Sequence, residues 1–375
     1  MNYYFIAGEA SGDLHAANLI RELRLTDPNA TIRAWGGDRM AAQGAVIVKH
    51  YKDLAFMGFV EVIKNLPTIF NNLNFCKQDI LDFQPDVLIL VDYPGFNLRI
   101  AEWAHEKGIR VFYYISPQIW AWKQSRVKQI QKNVDKMFVI LPFEKAFYQR
   151  FGVEVDFVGH PLLDAIEAEV IEHPFIAEEF ITRNKLSHKP LIALLPGSRK
   201  QEITVMLHHM LSVINAFPEY QFVIAGVDSI PLAFYQSVIG AKQVELVFGQ
   251  THELLRSSAA ALVTSGTATL ETALLNVPEV VCYQGGTLSY MIARQLIKVK
   301  YISLVNLIMD RVVVKELIQN QLNTATLKHE LEIILNNEDE RQRIFSDYTK
   351  LRHLLGDKGA SKKAAQLIHE YLEID

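Results

Sequence analysis

The chain has 375 residues, of which 50% are hydrophobic and 21% are charged, and its net charge is −4 at pH 7. That length favours two domains. The negative net charge argues against a nucleic-acid-binding protein, because such proteins carry basic surfaces. The two cysteines, Cys76 and Cys282, are far apart, so we expect no disulfide framework, no zinc site and a reducing, cytoplasmic environment. The first residues do not resemble a signal peptide, and no apolar run approaches the ~18–20 residues that span a bilayer.

Short apolar strands alternate with helices along the chain. In the first half the predicted strands are 3–7, 31–35, 87–91, 110–115, 136–141 and 155–158, with helices at 13–24, 97–107 and 143–151. In the second half the predicted strands are 191–195, 221–225, 244–248, 260–264 and 279–283, with helices near 200–216, 252–257, 267–275 and 287–298. This alternation is typical of parallel sheets covered on both faces. The sequence therefore predicts an α/β protein of two doubly wound, Rossmann-like domains.

Domain boundaries follow from polar and glycine–proline segments. The motif at 159–161, Gly-His-Pro, is the expected hinge, which gives an N-terminal domain of residues 1–165 and a C-terminal domain of residues 166–340. Residues 341–375 are predicted to form a charged helical tail that either covers the second domain or crosses back to the first. Because ligands bind beyond the carboxyl ends of parallel strands, we expect the two domains to face each other across a ligand-binding cleft.

The turn after the first predicted strand reads GEASGD over residues 8–13. Its two glycines would let a ligand approach the backbone closely, and Asp13 can cap the next helix. An ordinary strand–helix turn is an equally good interpretation of the same residues. No G-x-G-x-x-G fingerprint occurs in the chain, which argues against a dinucleotide-dependent oxidoreductase.

Asp92 follows the apolar strand at 87–91 and precedes the sequence Tyr93-Pro94-Gly95-Phe96. A carboxylate at the carboxyl end of a strand faces the ligand side of the sheet, and aromatic neighbours would raise its pKa by desolvation. A raised pKa would make Asp92 a better general base. The alternative, which the residues alone slightly favour, is a helix cap for the segment that begins near residue 97.

The segment 54–70 is unusually apolar. Its large apolar side chains exceed what one face of a helix carries, and the charges of Glu61 and Lys64 exclude a membrane-spanning helix. One interpretation is burial in the core, and the other is a surface patch that dips into a membrane or holds acyl chains. The residues of this patch are Phe56, Met57, Phe59, Val60, Ile63, Ile69 and Phe70.

Two glycine-marked strand-to-helix turns lie in the second half of the chain. One contains Gly197 and Ser198 after the strand at 191–195, and the other contains Gly266 and Thr267 after the strand at 260–264. Free backbone N–H groups at a helix start attract anions, and serine and threonine are natural caps. Two such helix starts in one crevice would hold a diphosphate.

Two side chains extend this site toward a nucleotide sugar. Arg199 adds a forked cation beside the first turn. Glu271, one helical turn beyond the second glycine, can accept hydrogen bonds from two vicinal ribose hydroxyls. The chain has no Asp-x-Asp motif, so no metal site is predicted, and no Gly-x-Ser-x-Gly elbow supports serine hydrolysis.

In this order along the chain, the motifs resemble those of the lipid-A-disaccharide synthase family, inverting glycosyltransferases of the GT-B type with two facing Rossmann-like domains. The matching stretches are 8–13, 57–62, 91–94, 116–122, 141–144, 159–161, 195–199, 265–271 and 303–307. The resemblance implies that UDP-2,3-diacylglucosamine and 2,3-diacylglucosamine 1-phosphate give a β-1′,6-linked disaccharide 1-phosphate and UDP. It implies no metal or other cofactor, a peripheral place on the cytoplasmic face of the inner membrane, and a homodimer with exchanged C-terminal segments as one arrangement of the tail.

The resemblance also assigns roles to individual residues. Asp92 would be the general base for the acceptor 6-hydroxyl. The acceptor side would be lined by Glu9, Ser11, Gly12 and Asp13. The UDP-sugar donor would contact Gly197, Ser198, Arg199, Glu202, Gly266, Thr267, Thr269, Glu271 and Asn306.

Two other functions fit the same residues. An isomerase of the UDP-N-acetylglucosamine 2-epimerase kind would share the two-domain plan and the donor site, but it has no use for an apolar entry patch. A non-catalytic protein that senses nucleotide sugars at a membrane would bind UDP without forming a product.

Overall fold

The computed structural model describes residues 1–53, 66–172, 175–286 and 299–373, apart from the side chains of residues 66, 122 and 169–172. The chain divides into two compact units, Met1–Ala165 with Leu355–Asp375, and Ile166–Leu354. Each unit contains one parallel sheet with helices, which confirms the predicted α/β class with two doubly wound sheets. The predicted helix at 287–298 lies outside the described residues.

The first unit is built on a seven-stranded sheet in the order β3-β2-β1-β4-β5-β6-β7. The strands are β1 (Asn2–Ala7), β2 (Thr31–Gly36), β3 (Val46–His50), β4 (Val87–Val91), β5 (Val111–Tyr114), β6 (Lys136–Val139) and β7 (Asp156–Phe157). Strand β3 has no counterpart among the predicted strands. It lies at the edge of the sheet, none of its residues is fully buried, and its apolar run ends at the polar residues Lys49 and His50.

Helices connect these strands and cover the sheet. They are α1 (Ala10–Thr26), α2 (Asp38–Ala42), α3 (Leu66–Phe83), α4 (Pro94–Glu106), α5 (Ile119–Trp122), α6 (Val127–Asn133) and α7 (Pro142–Gln149). Helix α8 (Pro161–Glu172) contains the boundary between the two units. Strand β4 is fully buried along its whole length, as a central strand between two helical layers requires.

The second unit is built on a six-stranded sheet in the order β10-β9-β8-β11-β12-β13. The strands are β8 (Leu191–Leu195), β9 (Gln221–Gly226), β10 (Glu245–Phe248), β11 (Ser258–Thr264), β12 (Glu279–Tyr283) and β13 (Lys315–Ile318). The helices are α9 (Ala177–Arg183), α10 (Lys200–Met210), α11 (Leu232–Ile239), α12 (Thr251–Arg256), α13 (Thr267–Leu274), α14 (Leu304–Met309), α15 (Thr324–Asn336) and α16 (Glu338–Leu354). Strand β13, which was not predicted, is again an edge strand.

The C-terminal segment is shared between the units. Helix α16 belongs to the second unit, and the last helix, α17 (Ala360–Glu373), packs against α1 in the first. Two hydrogen bonds hold the segment between α16 and α17 to the first unit. The His160 N–H donates to the Leu355 carbonyl at 3.1 Å, and the Gly359 N–H donates to the Asp164 carboxylate at 2.7 Å. Buried side chains of α17 join the core of the first unit.

No helix of the described residues is both long enough and apolar enough to cross a membrane.

Candidate active site

The two glycine-marked turns of the second unit meet at one edge of its sheet. Strands β8 and β11 are neighbours, and Leu195 pairs with Val263, so the residues that follow them emerge side by side. Both turns line a cavity of about 360 Å³. Its lining residues are Leu195, Gly197, Ser198, Arg199, Glu202, Ala225, Val227, Thr251, Thr264, Ser265, Gly266, Thr267, Ala268 and Glu271. Arg199 and Glu271 therefore share one cavity, as the nucleotide-sugar prediction requires.

The first turn, at Gly197 and Ser198, is stabilised by the carboxylate of Glu202 from the helix that follows it. Gly197 has a φ of +105°, a conformation that favours glycine, and a Cβ there would overlap the Glu202 carboxylate. That carboxylate accepts the Ser198 N–H at 3.1 Å. The predicted cap was wrong by one position, since α10 has Arg199, not Ser198, at its N-cap and no side chain caps it. The extended backbone of Arg199 leaves its side chain exposed at the cavity.

The second turn presents a helix start that no side chain caps. Gly266 is the N-cap of α13, and Thr267 is the first helical residue and not the cap that its type suggests. Gly266 has a φ of +155°, and a Cβ there would meet no heavy atom within 4 Å, so the conformation alone explains the glycine. The helix start faces the cavity through Gly266, Thr267 and Ala268. A helix start of this kind suits an anionic ligand.

Two residues that were predicted to bind the donor do not line this cavity. Thr269 is buried, and its hydroxyl donates to the Gly266 carbonyl at 2.8 Å, so it stabilises the turn from inside. Asn306 is fully buried, and its amide bridges α14 to the segment before β13. The Asn306 Oδ1 accepts the N–H groups of Val313 and Val314 at 2.7 and 3.0 Å, and its Nδ2 donates to the Val314 carbonyl at 2.8 Å. Both side chains are bonded within the fold in this structure, and their assignment as ligand contacts stays a prediction.

Asp92 lies at the carboxyl end of β4 in the first unit. Strands β1 and β4 pair with Ala7 opposite Val91, so Gly8 and Asp92 leave the sheet as neighbours. Burial, and then the charge of Glu9, raises the pKa of the half-buried Asp92 carboxyl to about 6. The alternative role as a helix cap is wrong, because Tyr93 is the N-cap of α4 and no side chain caps that helix.

The predicted acceptor-side residues lie in the first turn of α1 but face different ways. Glu9 and Ser11 are exposed, whereas Gly12 is buried against Ala7 at the end of β1. Asp13 is buried, and its carboxylate accepts N–H groups at the start of α2, from Gly37 at 2.7 Å and from residues 39 and 40 at 3.2 Å each. Asp13 therefore caps a neighbouring helix in this structure, and its assignment to the acceptor side stays a prediction.

Some residues of the cavity and some neighbours of Asp92 could hardly be predicted from the sequence. Ala225, Val227 and Thr251 complete the cavity of the second unit, and only the position of the first two at the end of a predicted strand could have indicated them. In the first unit, Asn97 and Tyr113 contact the backbone of Asp92. Both are fully buried, and nothing in their local sequence indicates a partner.

The predicted apolar patch is described only in part. Phe56, Met57, Phe59, Val60 and Ile63 lie outside the described residues. On α3, Phe70 is exposed over 57% of its surface, while Ile69 is half-buried. The patch interpretation therefore remains a prediction. In the described ranges, no group of three or more His, Cys, Asp or Glu side chains could hold a metal ion.

Comparisons with known proteins agree on one family. The family model described as lipid-A-disaccharide synthetase matches residues 3–371. A lipid-A-disaccharide synthase of Syntrophus aciditrophicus is 39% identical over 372 residues, which cover 96% of this chain and 95% of the relative. A lipid-A-disaccharide synthase of Myxococcus xanthus is 37% identical over 374 residues, which cover 98% and 96%.

Solved structures show the same fold. The UDP-GlcNAc 2-epimerase from Neisseria meningitidis, bound to UDP-GlcNAc, has a TM-score of 0.69 at 13% identity and covers 100% of both chains. The glycotransferase of kitacinnamycin has a TM-score of 0.62 at 13% identity and covers 99% of each chain. At these identities the likeness concerns the fold alone, which is the two-Rossmann fold of GT-B glycosyltransferases.

Proposed function

The chain belongs to the lipid-A-disaccharide synthetase family, and from that membership we propose how its two units divide the transfer of an acylated sugar. As a member it is a glycosyltransferase of lipid A biosynthesis. The second unit binds UDP-2,3-diacylglucosamine, and the first supplies the base for 2,3-diacylglucosamine 1-phosphate. The observation that carries the proposal is the cavity shared by Arg199, Glu271 and both glycine turns. The likeness to 2-epimerases is one of fold, so it does not favour the isomerase alternative.

The donor half of the reaction needs positive potential where UDP departs. Arg199 supplies a forked cation, and the start of α13 after Gly266 supplies backbone N–H groups at the same cavity. Preorganised donors of this kind stabilise developing charge, and a single one is typically worth about 3–4 kcal/mol. Glu271 accepts hydrogen bonds from the ribose hydroxyls. Glu202 contributes by holding the first turn in place.

The acceptor half needs a base that is ionised and still basic near neutral pH. The pKa of Asp92, raised to about 6 by burial, satisfies both conditions. Asp92 takes the proton of the acceptor 6-hydroxyl as its oxygen attacks the anomeric carbon. Attack from the face opposite the departing UDP inverts that carbon and gives the β-1′,6 linkage. A positioned base typically contributes about 10²–10⁴-fold.

Both substrates carry acyl chains, so the enzyme must meet a lipid surface. Phe70 on α3 is a large exposed apolar side chain at the end of the apolar segment 54–70. We place this face of the first unit against the cytoplasmic side of the inner membrane as a peripheral contact.

Two substitutions test the proposal, with product formation from both acylated substrates measured by mass spectrometry. Asp92→Asn should lower turnover by about 10²–10⁴-fold and leave UDP affinity unchanged. Arg199→Ala should weaken UDP binding by about ten- to a hundredfold, because a hydrogen bond to a charged group is lost. Isothermal titration with UDP measures the second effect.

Matched controls separate these effects from general damage. Asp86 lies just before β4, at the other end from Asp92, and its carboxylate accepts only a backbone bond from Asn2 among the bonds described. Asp86→Asn should keep turnover. Lys200→Ala removes an exposed cation that does not line the cavity and should keep UDP affinity. Near-normal turnover in Asp92→Asn rejects the base, and unchanged UDP affinity in Arg199→Ala rejects the donor site.

A further inference from the structure

The backbone around Asp92 has an uncommon conformation. Asp92 and Tyr93 have φ values of 44° and 49°, so two successive residues with side chains adopt the left-handed region. Such residues are rare outside turns that surrounding contacts enforce, and they concentrate at functional sites. Helix α4 begins directly after this turn, with Tyr93 as its N-cap and Pro94 as its first residue.

Two buried side chains hold this turn from inside. The Asn97 Nδ2 donates to the Asp92 carbonyl at 2.7 Å and lies 3.3 and 3.4 Å from the carbonyls of Val91 and Ile6. The Tyr113 hydroxyl, which comes from β5, donates to the same Asp92 carbonyl. Because burial raises the pKa of Tyr113 well above its usual value, this hydroxyl stays protonated and remains a donor. The Asp92 carbonyl thus accepts hydrogen bonds from side chains of two elements, α4 and β5.

The opposite side of the turn is held by packing. The Tyr93 ring packs directly against Gly8, where a Cβ would come within 2.3 Å of the Tyr93 Cδ1 atom. The Tyr93 and Phe96 rings stack with centroids 5.8 Å apart. The Asp92 N–H also donates to the Tyr114 carbonyl at 3.3 Å. Contacts from β1, β5 and α4 therefore all oppose relaxation of the turn.

We propose that Asn97 and Tyr113 are positioning residues that hold the Asp92 carboxylate half-buried beside Glu9, in the orientation that accepts the acceptor proton. The inference rests on the proposed role of Asp92 as the base. The titratable group that acts on Asp92 is Glu9, which precedes α1, and its charge is unchanged when the Tyr113 hydroxyl is removed. A misplacement of about 1 Å at a reacting group can lower a rate by about a hundredfold.

Tyr113→Phe tests the proposal, because it removes the hydroxyl and keeps the ring. The Asp92 turn should relax toward solvent, so the turnover number should fall about tenfold or more. The acidic limb of the pH–turnover profile should move to lower pH, since a more hydrated carboxyl loses part of its raised pKa. UDP affinity should stay unchanged. A structural role alone would lower stability without moving the pH profile.

Tyr4→Phe is the matched control. Tyr4 is a fully buried tyrosine of the same sheet, and its hydroxyl donates to Asp79 at 2.6 Å, away from Asp92. Loss of the Tyr4 hydroxyl should lower the free energy of unfolding about as much as loss of the Tyr113 hydroxyl. Turnover and its pH profile should stay as in the unmodified enzyme. If Tyr113→Phe and Tyr4→Phe behave alike in both readouts, the positioning role is overturned.

A readout without turnover separates this inference from the proposed function. The pH dependence of unfolding is compared between enzymes with and without Asp92→Asn, first with Tyr113 intact and then with Tyr113→Phe. The stability gained by Asp92→Asn above pH 6 should be smaller in the Tyr113→Phe background, and an equal gain overturns the inference. Full turnover of Asp92→Asn alone would instead overturn the proposed function.

Discussion

Three carboxyl groups of this chain show how burial and partners divide similar side chains into different roles. Asp13 is buried and satisfied by backbone N–H groups at the start of α2. Asp92 is half-buried, and its pKa is raised to about 6. Glu279 is fully buried at the first residue of β12, and in the described structure neither of its oxygens has a hydrogen-bond partner. The partly exposed Asp92 carboxyl, with its pKa near 6, can exchange a proton with a ligand near neutral pH.

Glu279 should make the enzyme less stable as the pH rises. Burial, and then the charge of Glu316, raises the pKa of Glu279 well above its usual value, so folding favours the protonated form. The stabilisation is complete below the unfolded pKa of about 4.5 and is lost as the pH rises toward the folded value. Glu279→Gln keeps the shape without the charge, so its free energy of unfolding should match the unmodified enzyme at pH 4 and exceed it at pH 8. Urea unfolding at both pH values measures the difference.

The pH dependence of that gain separates the buried charge from other effects of the amide. Because folding favours the protonated carboxyl, the gain from Glu279→Gln should increase from pH 4 to pH 8. Glu245 occupies the first residue of β10 but is exposed, and Glu245→Gln should change stability equally little at both pH values. A pH-independent effect of Glu279→Gln would show that the buried carboxyl has an ordinary pKa.

At the scale of elements, apolar runs predict the central strands and two of the four described edge strands, β7 and β10, but they do not determine the polar contacts. The buried strands β8 and β12 have the predicted bounds, whereas β3 and β13 at the sheet edges were missed. Both glycine turns could be predicted because they directly follow central strands. The orientation of Thr269 and Asn306 could not, since a polar side chain faces ligand or backbone according to tertiary contacts that the local sequence does not contain.

The first glycine turn gives a prediction at this scale. Gly197→Ala combines a φ of +105° with an overlap between the new Cβ and Glu202. We expect a loss of about 1–3 kcal/mol in the free energy of unfolding, because the left-handed conformation is strained for alanine. UDP affinity should fall as well, since the turn lines the cavity. Thermal unfolding and UDP titration measure the two effects.

Gly95→Ala provides the comparison for that substitution. Gly95 lies in the first turn of α4, and a Cβ there would meet no heavy atom within 4 Å. Alanine should be neutral or slightly stabilising there, because it restricts the unfolded chain without straining the fold. Equal stabilities of the two alanine variants would mean that the Gly197 turn can relax freely.

At the scale of the whole molecule, the chain passes through the second unit and then returns to complete the first. Helix α17 is amphipathic, and its buried face includes Ala364, Ala365, Ile368 and Leu372. An amphipathic pattern indicates that one face is buried but not which surface covers it. The sequence therefore left open whether the tail covers the second domain or crosses to the first, and the contacts of α17 with α1 answer this within one chain.

The position of α17 predicts that a substitution near the C-terminus weakens the unit that contains the N-terminus. Ile368 is fully buried in the core of the first unit. Ile368→Ala should lower the free energy of unfolding of that unit by about 2–5 kcal/mol, because the cavity left behind adds to the lost burial. Hydrogen-exchange mass spectrometry should show faster exchange in peptides of α1 and β1, while peptides of α10 and α13 and the affinity for UDP stay unchanged. Gln366→Ala changes an exposed residue of the same helix and should leave all exchange rates unaltered. Faster exchange confined to the second unit after Ile368→Ala would mean that α17 stabilises a different surface in solution.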